Sequence, residues 1–329
     1  MKKIIILLLS IIILTGCKTN IEDKLINKFS SDINSSKSYT MKGSLEILND
    51  EDSFNYDVLV SYKKKDMYLV KLTNTISNNV QVILKNSEGV YVITPSLNKS
   101  FKFQSDWPNN SSQAYILGSI LDDLKNTENK NFKEDNEYYI IDSNVNYPNN
   151  SDLSYQKLYF DKDYNLKKNE VFNSNNQLRI RFVVGSIDYK ANLDNDYFMV
   201  DKYVDENCCQ ESSANNLEEI IYPLYIPNDT YLTTKETINT DNGNRAILTF
   251  AGSKDFVLIE EPTSANATFE TIPVYGDPIM MNGTIGALSG NSIYWTNNNI
   301  DYYLAGNDLT PSELLSVASS ISNTIVTGK

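Results

Sequence analysis

The chain has 329 residues, 29 basic and 42 acidic side chains, a formal charge of −13 and no histidine. Without imidazole there is no Ser-His-Asp or Cys-His arrangement, no zinc site that needs histidine, and no general base of the usual kind near neutral pH. The only arginines are Arg179, Arg181 and Arg245, so an acidic chain offers no cationic footprint for nucleic acid. No spaced acidic pair marks a carboxylate-only hydrolase, and neither catalysis nor a cofactor is expected.

The chain opens with a basic Met1-Lys2-Lys3 and an apolar run over residues 4–14 broken only by Ser10. That run is shorter than the roughly 20 residues a bilayer core requires, and it reads as a signal peptide over residues 1–16. Leu14-Thr15-Gly16-Cys17 matches the bacterial lipobox at all four positions, so cleavage before Cys17 and acylation of its thiol are expected. An ordinary secretory signal with an incidental cysteine is the alternative. Each buried methylene contributes about 0.8 kcal/mol, so two or three acyl chains anchor a protein stably. Losing the leader removes Lys2 and Lys3 and takes the formal charge to −15. Anionic headgroups repel such a chain. The expected location is therefore the extracytoplasmic face of the cell membrane, held by lipid on Cys17 alone.

Roughly 310 mature residues suggest two domains. Residues 17–20 form a lipidated tether. Apolar Ile21, Leu25, Ile26, Phe29 and Ile33 give one helical face over residues 21–33. Short runs rich in Tyr, Val, Ile and Phe follow at 39–48, 53–62, 67–72 and 80–84, separated by Asn/Asp/Ser/Gly or lysine turns. They predict an antiparallel meander. The next strand begins at Val90, turns at residues 95–99 and resumes with Phe101 and Phe103. At Trp107-Pro108 it gives way to a helix over 111–124, capped by Ser111 or Ser112. Further strands are predicted at 137–145, 155–160, 167–172, 178–189 and 197–204. Residues 21–205 form the first domain.

Residues 206–217 are polar, lack apolar periodicity and read as a linker; the second, smaller α+β domain covers 218–329. Its strands are predicted at 245–251, 256–260, 268–274 and 278–281, with a hairpin at 292–295 and 301–305. Thr310-Pro311-Ser312-Glu313 is a capping box with proline at the first helical position, and opens a final helix.

The lipobox, the N-terminal helix, the long meander and the stretch from Tyr91 to Trp107 followed by Pro108-Asn109-Asn110 resemble the LolA/RseB-like superfamily. Tyr91-Val92-Ile93-Thr94-Pro95-Ser96-Leu97-Asn98-Lys99-Ser100-Phe101 is most similar to its spore-former sporulation and germination branch, the YdcC- and GerS-like lipoproteins. Tyr225-Ile226-Pro227, Gly283-Thr284, Tyr294-Trp295 and Tyr302-Tyr303-Leu304 resemble a small domain that follows such modules in Firmicutes. The resemblance implies a mostly antiparallel curved half-barrel with the helices at 21–33 and 111–124 as lids over its concave side. In the lipoprotein carriers that concavity takes acyl chains. Ile93, Phe101, Phe103, Trp107, Tyr115 and Leu117 are the candidate groove residues here, and plain packing between sheet and helix is the competing reading for each.

Adjacent Cys208 and Cys209 sit about 3.8 Å apart at Cα, closer than the roughly 5.5 Å a disulfide prefers. An intermolecular disulfide, and so a homodimer, is one outcome; inert thiols or a strained vicinal bridge are the others. Asp122-Asp123 with Glu128 lacks calcium-loop spacing and reads as a solvated helix end. The leading expectation is a membrane-anchored, non-enzymatic module that binds an envelope protein in sporulation or germination, with a cortex-modifying amidase as the partner implied by the resemblance. Acyl-chain or lipoprotein binding in the concave sheet and an RseB-like role on an anti-sigma factor are the alternatives.

Overall fold

The computed structural model describes residues 20–49, 53–204, 217, 219–240, 243–263, 269–281 and 283–321. The chain opens with helix α1 (Ile21–Ser35), which buries Leu25, Phe29 and Ile33, followed by β1 (Ser38–Leu48), β2 (Ser53–Lys63), β3 (Met67–Asn74), β4 (Val80–Asn86), β5 (Gly89–Thr94) and β6 (Lys99–Phe103). Helix α2 (Leu117–Asn126) precedes β7 (Asn131–Glu134), β8 (Tyr139–Asn144), β9 (Leu153–Phe160), β10 (Leu166–Asn173) and β11 (Leu178–Asp188). Strand β1 pairs with β2 on one side and β11 on the other, which joins the two meanders into one antiparallel run. The resulting 12-stranded sheet is open, ordered β15-β6-β5-β4-β3-β2-β1-β11-β10-β9-β8-β7, where β15 is residues Glu270–Val274.

Alternation along the strands sends one side-chain set to each face. On the helix-covered face, Leu25 and Phe29 of α1 and Leu117, Ile120, Leu121 and Leu124 of α2 share a core with Met41, Leu45, Phe160 and Phe182. On the opposite face Leu69, Leu84, Tyr91 and Ile93 pack with Phe198. Residues 197–204, expected as a strand, instead make two short 3-10 turns, Asn195–Phe198 and Val200–Tyr203. Their apolar side chains are used to cover that second face, a burial pattern that alternation alone does not distinguish from a strand.

The helix expected over 111–124 begins at Leu117, without a side-chain cap. Ala114, Tyr115 and Ile116 are buried ahead of it, and the hydroxyl of Ser112 is committed to the Asp123 carboxylate at 2.7 Å. That hydrogen bond takes the serine away from the capping role.

The second half forms a seven-stranded antiparallel sheet from β12 (Thr230–Thr240), β13 (Gly243–Gly252), β14 (Phe256–Pro262), β16 (Asp277–Met281), β17 (Thr284–Ser289), β18 (Ser292–Asn297) and β19 (Ile300–Ala305), in the order β12-β13-β14-β19-β18-β17-β16. Helix α3 (Pro311–Ser319) closes one face, and its Leu314, Leu315, Val317 and Ala318 pack with Phe250, Leu258, Trp295 and Tyr302. The expected capping box is complete: the Thr310 hydroxyl accepts from the Glu313 N–H and the Glu313 carboxylate accepts from the Thr310 N–H.

Strand β15 leaves the second half and pairs in parallel with β6, with Ile272 opposite Phe101. Residues 218–329 therefore contribute to both sheets. Ile285 and Ala287 of β17 lie in the core of the first.

Candidate functional site

The stretch from Val90 to Asn110 is built by alternation and one reversal. Val92 of β5 stands opposite Phe101 of β6, so both face the helix-covered core, while Tyr91 and Ile93 face the other way. Pro95–Leu97 makes a 3-10 turn, and Asn98 takes a left-handed conformation, φ 49°, that returns the chain as β6. Asparagine tolerates that region better than most residues.

Strand β6 is where the two halves are joined. Lys99 Nζ lies 3.0 Å from Asp301 Oδ2 and 2.7 Å from the Tyr294 hydroxyl. Phe101 packs on Tyr294 with ring centroids 5.1 Å apart. Ser100 and Thr271 share a hydroxyl hydrogen bond of 2.9 Å. Beyond the strand, Ser105 Oγ and Asn110 Nδ2 both donate to Asp277 Oδ1 of β16. Gln81 Oε1 accepts from the Ile285 N–H at 2.8 Å. These contacts hold the sheets in one register.

Between them lies a cavity of about 930 Å³, within the size range of small-molecule sites. The 107–115 segment and the β8–β9 loop form one wall, and β16 and α3 form the other. Trp107, Ile47, Ile83 and Met280 supply apolar surface; Arg179, Asp152 and Asp277 are its charged residues. Trp107 is seated edge-on against Tyr68, with centroids 6.1 Å apart.

A buried polar chain positions the 112–115 wall. Asp123 of α2 accepts from Ser112 Oγ at 2.7 Å and from Gln156 Nε2 at 3.2 Å. Asn169 Nδ2 donates to Gln156 Oε1 and to the Ala114 carbonyl. Burial raises the Asp123 carboxyl to about 7, reinforced by the neighbouring Asp122 charge and opposed by its two hydrogen bonds. Burial also pushes the Tyr115 and Tyr147 hydroxyls well above the ordinary tyrosine range. Asp123 is therefore an acid inside a network, not a solvated helix end.

Of the candidate groove residues, Trp107 and Tyr115 line the cavity. Phe101, Phe103 and Leu117 are buried in the first core, at 9, 2 and 0% exposure. Ile93 lies across the sheet from them, because one residue of displacement along a strand reverses the face. Cys17, Cys208 and Cys209 fall outside the described residues. Sequence reasoning missed the second wall, Asp277, Met280 and Leu315, because it comes from a segment some 170 positions away. The paired amides at Asn109-Asn110 and Asn149-Asn150 are the signal that was present. Among the described residues no three His, Cys, Asp or Glu side chains are grouped to hold a metal ion. None of the described helices is long and apolar enough to cross a membrane.

A family profile described as sporulation protein YdcC-like matches residues 1–198. The sporulation protein YdcC of Bacillus subtilis (strain 168) is 31% identical over 318 residues, which span 95% of this chain and 94% of that protein. Among solved structures, MucB resembles 90% of the chain over 96% of its own length, at 11% identity and a TM-score of 0.34. A LolA superfamily protein from Nitrosomonas europaea covers 54% of the chain and 97% of itself, at 13% identity and a TM-score of 0.33. The complex of the CwlD amidase from Clostridioides difficile with the GerS lipoprotein covers 55% of the chain and 99% of the matched one, at 16% identity and a TM-score of 0.27. Scores this low carry no functional argument.

Proposed function

The chain belongs to the YdcC-like family of sporulation proteins, and from that premise we propose that it is a non-enzymatic, membrane-anchored envelope lipoprotein that binds a protein partner during sporulation or germination. The anchor is lipid on Cys17, on the extracytoplasmic face. The similarity of residues 91–101 to the sporulation and germination lipoproteins makes a cortex-modifying amidase the first partner to test.

The observation that supports partner binding is the free edge of the second sheet. Among the described strands β12 pairs only with β13; it runs for 11 residues and is exposed along almost its whole length. Tyr231, Leu232 and Ile238 stand 65, 39 and 46% exposed on it. Natural proteins keep edge strands short or blunt them with proline and charge. An edge this long, without proline and with apolar side chains on both faces, suits addition of an extended segment from another protein.

Affinity capture of the lipidated chain from sporulating cells tests the reading, with Leu232→Lys and Ile238→Lys variants as controls. Recovery of an envelope enzyme by the wild type and its loss with the edge variants is the expected result. Equal capture by all three would discard β12 as the docking edge. Metabolic labelling with a palmitate analogue tests the anchor: label is expected on the wild type and not on Cys17→Ser.

A further inference from the structure

The cavity between the two sheets holds polar groups that the fold itself leaves unused. The side-chain amides of Gln113, Asn149 and Asn150 line it and make no hydrogen bond among the described residues. The Tyr147 hydroxyl, also in the lining, is buried beside the Ala114 backbone and makes no hydrogen bond of good geometry among the described residues. The three amides are partly open to solvent and are hydrated in the free protein, while the Tyr147 hydroxyl is the buried member of the set. Four groups of this kind around one void offer a polar ligand hydrogen bonds in place of that water.

The chemistry of that ligand is narrowed by what surrounds these groups. Amides and a phenol both donate and accept, which matches hydroxyls that do the same. Tyr225, 43% exposed at the lining, and Tyr147 present ring surface that packs on the C–H face of a sugar. An acyl chain would cover the four groups without pairing them. A polyanion would meet Asp152 and Asp277 with only Arg179 in its favour.

We propose that this cavity binds an uncharged oligosaccharide, its hydroxyls paired with Gln113, Asn149, Asn150 and Tyr147 and one ring laid against Tyr225. Because both sheets supply the walls, the site exists only in the assembled two-half chain. It is separate from the β12 edge, so partner capture and sugar binding succeed or fail independently.

The test is isothermal titration of the full-length chain, held in amphipol, with chitotetraose and with cellotetraose, and with laurate as the competing class. Saturable binding of at least one sugar is expected. Affinity should fall tenfold or more in Gln113→Ala/Asn149→Ala and in Tyr147→Phe, with the melting temperature unchanged. Tyr225→Ala, at an exposed position, supplies a variant that does not depend on core packing and should weaken the sugar equally. Absence of sugar binding at millimolar concentration overturns the proposal, as does laurate binding that the sugars do not displace, or sugar binding that none of the variants reduces.

Discussion

Lys99 of β6 and Asp301 of β19, 202 positions apart in sequence, form an ion pair of 3.0 Å with both side chains 10% exposed or less. The Lys99 ammonium also lies over the Phe101 and Tyr294 rings, 5.5 and 5.0 Å from their centroids, and Thr296 donates to the second Asp301 oxygen. Removing one member leaves the other charge buried without its counter-ion, at a cost of about 3–5 kcal/mol, whereas replacing both by apolar residues is often close to neutral. Lys99→Met and Asp301→Leu should each lower the urea midpoint strongly, and the double variant should recover most of the loss. A double variant no more stable than either single one would contradict this account.

A pH dependence follows from two buried acids. Burial raises Asp123 from its ordinary 3.8 to about 7. It also raises Glu260 from 4.5 to about 7, opposed by the Ile221 N–H and the Lys235 charge. In both, the folded state keeps a proton that the unfolded chain has released between pH 4 and 7. Their contribution is therefore largest below the ordinary carboxyl range, declines as pH rises towards 7, and is gone above it. Glu260→Gln and Asp123→Asn should each flatten that part of the stability profile, read from urea midpoints between pH 5 and pH 8. Parallel profiles for wild type and both variants would show that these carboxyls do not titrate as described.

Gly43 stands where β1 shifts register against β11. A Cβ there would run into the Val183 carbonyl and come within 2.7 Å of the Phe182 ring. The backbone cannot yield and Phe182 is fully buried, so Gly43→Val should cost about 3 kcal/mol, the upper end of overpacking penalties. Thermal denaturation reads the loss; a variant within experimental error of wild type would mean that β11 can move.

The capping box of α3 gives a smaller, local effect. Thr310→Ala removes the acceptor of the Glu313 N–H and should destabilise by about 1 kcal/mol. Thr310→Ser, which keeps the oxygen, should be close to wild type when the two are compared by denaturant unfolding.

How legible the molecule was depended on whether a signal was local. Strands β1 to β6 were readable because turn residues punctuate runs whose alternation reports one buried face. Helix α3 was readable because Thr310, Pro311 and Glu313 specify a helix start within four positions. Strand β12 was missed for the converse reason: neither of its faces is buried, so its threonines and charges carry no alternation. Ile93 was grouped with Phe101 on shared apolarity, while their opposite orientation depends on register across the hairpin. Tyr115 was found, but as part of a helix that starts two residues after it.

Local sequence was enough for the mostly antiparallel fold class and the positions of most strands, because hydrophobic period and turn chemistry are written within windows of ten or so residues; the family followed from the resemblance of the lipobox and of residues 91–101 to known proteins. Tertiary structure alone decided that β15 crosses to pair with β6, that Lys99 meets Asp301, and that the amides of the 113–150 region face a void closed by β16 and α3. These are relationships between segments up to two hundred residues apart. They arise from the docking of one sheet on another, where shape and charge are matched across surfaces that no local pattern encodes.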